Sequence, residues 1–229
     1  MKSIESTSSI RVSKGIILWD IDGTLVTKEP SADIPIHFRA LGIQTSNLDT
    51  TSLSGLTDWD VLCKYALENQ IPVNEVDAAF QFLCDFKNLN DFSDYGIICG
   101  SAEILEKLLH SGWRNGILTG NTKERAIQKL SSVGLISHFE AELFFCCRRE
   151  ETRVDISLRA RDALYGNKVF VVGDTKYDLI AAKKAEFFSI GIPRNKSDIE
   201  FMAKHPPNLL LNSLELDREK FLEALQNFG

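Results

Sequence analysis

The chain of 229 residues is long enough for one sizeable α/β domain, or for a core that carries a smaller insert. Its 26 Lys and Arg against 32 Asp and Glu leave a net charge of −6, so it has no global positive field to gather nucleic acid or anionic lipid. No apolar run approaches the ~20 residues of a membrane-spanning helix, and neither a nucleic-acid nor a membrane partner is expected.

The opening residues 1–14 are rich in Ser and read as a flexible tail without a signal-like apolar stretch. Short apolar runs follow at 15–20, 114–119, 143–147, 168–173, 187–192 and 208–211. Near-continuous hydrophobic runs of this length suit strands covered on both faces. The stretches 102–109, 124–133, 155–164 and 178–185 carry helical periodicity instead. Strand–helix alternation implies a Rossmann-like parallel sheet with helices on both faces. One interval breaks this rhythm, because the eighty or so residues between the first strand and the helix at Ala102 contain no convincing strand. Segments 33–41, 58–68 and 74–86 look helical there, with Pro30, Gly55 and Pro72 as punctuation. The expected organisation is an α/β core made of 15–28 and 96–229, with an all-helical cap domain at 29–95. Five cysteines, odd in number and without a CxxC pair, point to free thiols and a reducing, cytoplasmic setting.

Ligands of open parallel sheets gather at the carboxyl ends of the strands. The first strand ends in Asp20-Ile21-Asp22-Gly23-Thr24-Leu25, the second in Thr119-Gly120-Asn121 and the fourth in Gly173-Asp174-Thr175-Lys176-Tyr177-Asp178. Singly, each is an ordinary turn or helix cap. Together they bring four carboxylates and a hydroxyl to one sheet edge, where mutual repulsion calls for a bound divalent cation. Asp20 and Asp22 stand at i and i+2 of an extended segment and can face one reacting centre. Gly23 permits the sharp exit from the strand. Thr119 and the amides that follow it offer neutral donors to phosphate oxygens.

These motifs resemble those of the haloacid-dehalogenase superfamily of phosphotransferases, whose opening motif is DxDGT followed by an apolar residue. Residues 20–25 match that motif in full, Thr119-Gly120-Asn121 resembles the second motif and 173–178 the GDxxxD form of the fourth. The insert before Ala102 is similar to the helical cap that many members carry. The resemblance implies a phosphatase that hydrolyses a small phosphorylated metabolite through an aspartyl-phosphate. Asp20 would be the nucleophile. Asp22 would be the general acid and base, and Thr119 would hold a phosphate oxygen. Mg²⁺ would be bound by Asp20 and Asp174 with the backbone carbonyl of Asp22, and Asp178 would ligate it or orient its waters. Gly23, Thr24, Gly120 and Asn121 would line the phosphate, and Thr57 of the insert would reach the substrate. Asp58 and Trp59 are further candidates in the same segment. The second aspartate, Asp22, favours phosphate esters over carbon–halogen bonds, because an alkoxide leaving group needs a proton.

The third motif departs from the family pattern. Its usual lysine would fall near Glu151, within Arg148-Arg149-Glu150-Glu151-Thr152-Arg153. Arg153 is the expected replacement, with Arg149 the second candidate, although Arg and Lys make different geometric demands. Two other readings stand beside the phosphatase: a phosphomutase of the same chemistry, and a non-catalytic module that keeps the fold.

Overall fold

The apolar runs, too short for stable helices, build a sheet, and the periodic stretches between them wrap it. A computed structural model describes residues 13–27, 41–42, 53–85 and 95–228. Its first half contains β1 (Ile16–Trp19), β2 (Val26–Thr27), α1 (Asp58–Glu68), α2 (Val73–Cys84), β3 (Gly96–Ile97), α3 (Ser101–His110), β4 (Arg114–Leu118) and α4 (Lys123–Ser132). The second half contains β5 (Phe144–Phe145), α5 (Arg153–Ala163), β6 (Val169–Gly173), α6 (Lys176–Lys184), β7 (Phe188–Gly191), α7 (Lys196–Lys204), β8 (Leu209–Leu210) and α8 (Arg218–Asn227). Six strands form one parallel sheet in the order β5-β4-β1-β6-β7-β8.

Successive residues of β1 point to opposite faces, and both faces are covered. Ile17 and Trp19 pack with Ile104, Leu105 and Leu108 of α3, with Leu130 of α4 and with Phe221 of α8. Ile16 and Leu18 pack on the other side with Ile156 and Ala160 of α5 and Ala182 of α6. Trp19 is fully buried, and its indole Nε1 donates to Asn115 Oδ1 at 3.1 Å, which satisfies the one polar atom it takes inside. Because β1 sits between β4 and β6, the chain leaves it in opposite directions across the sheet. The crevice at the carboxyl ends of those three strands is the topological switch point where open α/β sheets bind ligands.

A distinct helical region, α1 and α2, stands between β1 and the rest of the sheet in sequence. Trp59 meets the Phe80 ring edge-on at 5.4 Å, joining the two helices. Leu62, Tyr65, Phe80 and Leu83 belong to the same apolar cluster as Leu118, Phe145 and Ile156, so the region shares a core with one face of the sheet. Helix α1 begins at the expected Asp58, while α2 begins at Val73 and ends at Cys84, against the expected 74–86. The helix expected at 33–41 falls, except for Leu41, outside the described residues, as does most of the expected tail.

One expectation is corrected. The interval read as strandless contains β2 and β3, which pair antiparallel with Val26 opposite Ile97. Two residues per strand are too few to carry a period, so no pattern could announce them. The ribbon ties together the chain on either side of the interval 28–95. Helices α7 and α8 also went unread, in a stretch where charged residues dilute the apolar period.

Gly116, in β4 beside β1, tests how tightly the sheet is packed. A Cβ there would lie 2.6 Å from the Leu143 Cβ and carbonyl oxygen and 2.8 Å from the Leu18 Cδ2. Gly116→Ala should therefore lower unfolding free energy by ~1–3 kcal/mol, measured by urea denaturation. A variant as stable as the wild type would show that this layer yields freely.

Candidate active site

Three adjacent strand ends deliver the sequence-predicted residues to one place. Asp20 follows β1, Thr119 follows β4 and Asp174 follows β6, and all three are buried. The turn after Asp20 requires Gly23, whose φ is +81° and whose hypothetical Cβ would fall 2.2 Å from the Asp174 Oδ2. Thr24 is buried and its hydroxyl donates to Asp174 Oδ1 at 3.4 Å. Gly173 lets Asp178 fold back on the strand end, since a Cβ there would meet the Asp178 Cγ at 2.4 Å. Asp178 Oδ2 accepts from the Thr175 amide at 3.0 Å and from the Thr175 hydroxyl at 2.7 Å. Asp178 thus caps its helix with one oxygen and faces the site with the other.

That second oxygen meets Arg153. The Arg153 Nη2 lies 2.8 Å from Asp178 Oδ1 and donates to Asp20 Oδ1 at 2.9 Å. Nη1 donates to the Leu118 carbonyl and Nε to the Gly55 carbonyl, each at 3.3 Å. Local sequence explains the placement. Thr152 caps α5 in a capping box with Asp155, which makes Arg153 the first helical residue and aims its side chain across the strand ends. Arg149 is at the surface instead, paired with Asp77 of α2 at 2.7 Å and stacked over Trp59. Glu151, where the family pattern has its lysine, pairs with Arg159 at 2.8 Å.

One guanidinium does not balance this many carboxylates. Asp20, Asp174 and Asp178 present oxygens that all lie within 4.8 Å of one another, and all three residues are buried. Burial pushes Asp20 up from its ordinary 3.8 to about 7; Arg153 opposes the rise, and Asp178 and Asp22 add to it. Asp174 is likewise raised well above the ordinary range by burial and then by Asp20 and Asp178. A buried, all-oxygen set with excess negative charge fits a hard divalent cation such as Mg²⁺, which would supply the missing positive charge.

The Asp22 carboxylate stands apart from that cluster. Lys129 Nζ donates to its two oxygens at 2.9 and 2.8 Å, and Asn121 Nδ2 donates to Oδ2 at 2.8 Å. Asn121 Nδ2 also donates to the Thr119 hydroxyl at 2.9 Å, so the first and second motifs are joined by side chains as well as by the sheet. Sequence reasoning missed Lys129. The available signal was a pair of cations, Arg125 and Lys129, on the same face of α4 as Ala126 and Leu130; all four are buried.

The insert reaches the site through 53–58. Gly120 is needed because a Cβ would come 2.7 Å from the Leu56 carbonyl, and its own carbonyl accepts from the Asp58 amide at 2.7 Å. Asp58 Oδ2 accepts from the Thr122 amide at 2.7 Å and pairs with buried Arg125 at 3.2 Å. Thr57 is the N-cap of α1; its hydroxyl accepts from the Asp60 amide and donates to the Glu151 carbonyl at 3.2 Å, so it is engaged on both sides. Asp58 and Trp59 are likewise occupied in structural contacts, with α4 and Phe80.

The family model described as haloacid dehalogenase-like hydrolase matches residues 17–192, more than half of the chain. The chain therefore belongs to that family and is a hydrolase of its type. No individually curated protein matches the sequence significantly. Among solved structures, a predicted phosphatase from Clostridium acetobutylicum is similar, with 20% identity and a TM-score of 0.71 over 93% of this chain and 100% of that one. A beta-phosphoglucomutase from Clostridium difficile aligns at 18% identity and TM-score 0.64, over 95% and 99% of the two chains. A predicted phosphoglycolate phosphatase from Haemophilus somnus gives 18% identity and TM-score 0.60, over 92% and 98%. Likeness at these identities speaks to fold.

The electrostatics of Asp20 make a prediction about stability. A folded-state value of about 7 above an ordinary 3.8 means that the fold favours the protonated form. This contribution is fully present below the ordinary value and is lost as pH rises through about 7. In chelator at alkaline pH, Asp20→Asn should melt several degrees above the wild type, with the gap closing toward acidic pH. A wild type that melts as high as the variant across the range would remove the charge argument for a cation.

Proposed function

We propose that the chain is a Mg²⁺-dependent phosphatase that hydrolyses a small phosphate monoester through an aspartyl-phosphate on Asp20. The observation that carries this reading is the buried contact of Arg153 with Asp20, set among the other two carboxylates and one strand end from Thr119. Asp20, with one oxygen fixed by Arg153, attacks phosphorus with the other. Arg153 takes the place of the third-motif lysine, holding the nucleophile and drawing negative charge on the transferring group. Thr119 and the amides of Gly120 and Asn121 receive the phosphoryl oxygens, while Gly23 and Thr24 shape the floor. Asp22 protonates the departing alkoxide and then takes a proton from the attacking water. Asp20, Asp174, Asp178 and the Asp22 backbone would hold Mg²⁺, which would supply positive charge to offset the acids and the phosphate.

Residues 29–95 act as a cap over a core of 15–28 and 96–229, and its contacts at 53–58 support a role in excluding water. A cap closed this near the nucleophile favours a small metabolite over a folded phosphoprotein. The solved relatives titled phosphatase and phosphoglycolate phosphatase are in keeping with that class. The free thiols, two of them adjacent and buried at Cys146 and Cys147, support a reducing cytoplasm.

Turnover of p-nitrophenyl phosphate with MgCl₂, without any bisphosphate primer, tests the reading. Asp20→Asn should lower kcat by roughly 10³-fold or more, and chelation should abolish activity. Equal rates for the two proteins would sink the nucleophile and leave a non-catalytic module. Arg153→Ala should lose about 10²–10³-fold in kcat. Arg153→Lys should recover part of that, since it restores the charge without the fork. An Arg153→Ala variant matching a surface control would end its assignment.

A further inference from the structure

Lys129 is fully excluded from solvent on α4, and the mechanism above gives it no task. We infer that Lys129 is a positioning residue that sets the direction of a hydrogen-bond chain ending at Thr119, so that the Thr119 hydroxyl offers its hydrogen to a phosphate oxygen. This rests on the phosphatase reading, in which Thr119 binds phosphate.

The argument is one of donor and acceptor count. A lysine ammonium has three N–H donors and no lone pair. Here its acceptors include Asp22 Oδ1 at 2.9 Å, Asp22 Oδ2 at 2.8 Å and Asn121 Oδ1 at 2.8 Å. A donor-only neighbour obliges Asn121 to turn its carbonyl toward Lys129. The amide NH₂ then points the other way, to Asp22 Oδ2 at 2.8 Å and Thr119 Oγ1 at 2.9 Å. Thr119 Oγ1 accepts as well from the Asn121 backbone amide at 3.4 Å. Its own hydrogen finds no acceptor among the described residues, although the side chain is wholly buried. A buried hydroxyl with its lone pairs occupied and its hydrogen unused suits an incoming anion.

Without Lys129 the Asn121 carbonyl loses the donor that it faces, and only the Asp22 carboxylate, which a reversed amide would meet with its oxygen, opposes reversal. In the reversed amide Asn121 Oδ1 would face Thr119, the hydroxyl would donate to Asn121, and the phosphate would lose one donor. A lysine that merely paired with Asp22 for stability would lower the melting temperature without acting through Thr119. Coupling between the two positions therefore separates a directing role from a structural one.

The experiment is steady-state turnover of p-nitrophenyl phosphate with MgCl₂ by Lys129→Met, Thr119→Val and the double variant. Each single change should lower kcat/KM about 10²-fold, the size of losing one donor to a developing oxyanion. The double variant should fall no more than about threefold below Thr119→Val alone. Asn121→Asp gives the same test with the lysine in place, because a carboxylate there accepts from Lys129 and has nothing to give Thr119. It should lose about 10²-fold as well, and it decides the matter if Lys129→Met fails to fold. Losses that multiply in the double variant, or an Asn121→Asp variant within about threefold of wild type, would overturn the inference. A wild type that releases no phosphate from any ester overturns the phosphatase reading with it, an outcome recognisable before any variant is made.

Discussion

The site depends on a charge imbalance that the fold creates and only partly relieves. Parallel strands β1 and β6 end side by side, and the turns beyond them place Asp20, Asp174 and Asp178 within 4.8 Å of one another, out of water. Carboxylates so placed repel, and the burial that makes them useful also makes their charged forms costly. Arg153 answers two of them at once, its Nη2 shared between Asp20 and Asp178. A divalent cation would meet the remaining deficit, and with the guanidinium it would balance the three acids. Removal of Arg153 would leave Asp20 and Asp178 buried without the guanidinium that they share.

The strand ends that carry the motif residues also seat the helical region. Gly120 and Arg153 each bond to the 53–58 segment, through the Asp58 amide and the Gly55 carbonyl. Gly55 can come that close because it has no side chain: a Cβ would stand 2.5 Å from the Tyr177 ring. Asp58 adds a buried pair with Arg125, and Arg149 adds an exposed one with Asp77. The exposed pair contributes little, being screened by water. The buried one, with its backbone contact to Thr122, fixes the entry of α1 against the second motif. The placement of the helical region and the geometry of the strand ends are therefore not independent in this molecule.

A second polar assembly, of opposite character, lies on the other side of Asp22. Lys129, Asn121 and Thr119 form a buried chain in which every short contact runs from donor to acceptor in one sense. Low dielectric surroundings make such a chain selective, since a reversed link would bring two acceptors or two donors together. The acidic cluster concentrates negative charge, whereas this chain begins at a cation and ends at a hydroxyl. Asp22 lies between them, close enough to Asp20 to add to its rise and bonded directly to Lys129.

The order and ends of the main strands, the motif residues they carry and the helical character of 58–84 could all be read from the chain, because each rests on local patterns: apolar runs, helical periods and turn residues at strand ends. Arg153 could be named only as one of two candidates, since a run of charged residues at a helix start reads the same whichever one turns inward. The Thr152 capping box and the position of α5 over β1 decided between them. Lys129 was invisible for the opposite reason: a lysine on a helix signals solvent until a carboxylate from a strand end 107 residues away comes to meet it. The two-residue ribbon of β2 and β3 also arises from pairing across a long interval, without a period of its own. The sequence by itself thus determined the sheet, the acids and the family. Tertiary structure decided which cations answer those acids, because the partners of a buried charge are set by which distant strand ends and helix faces pack together, and no short stretch of chain contains that information.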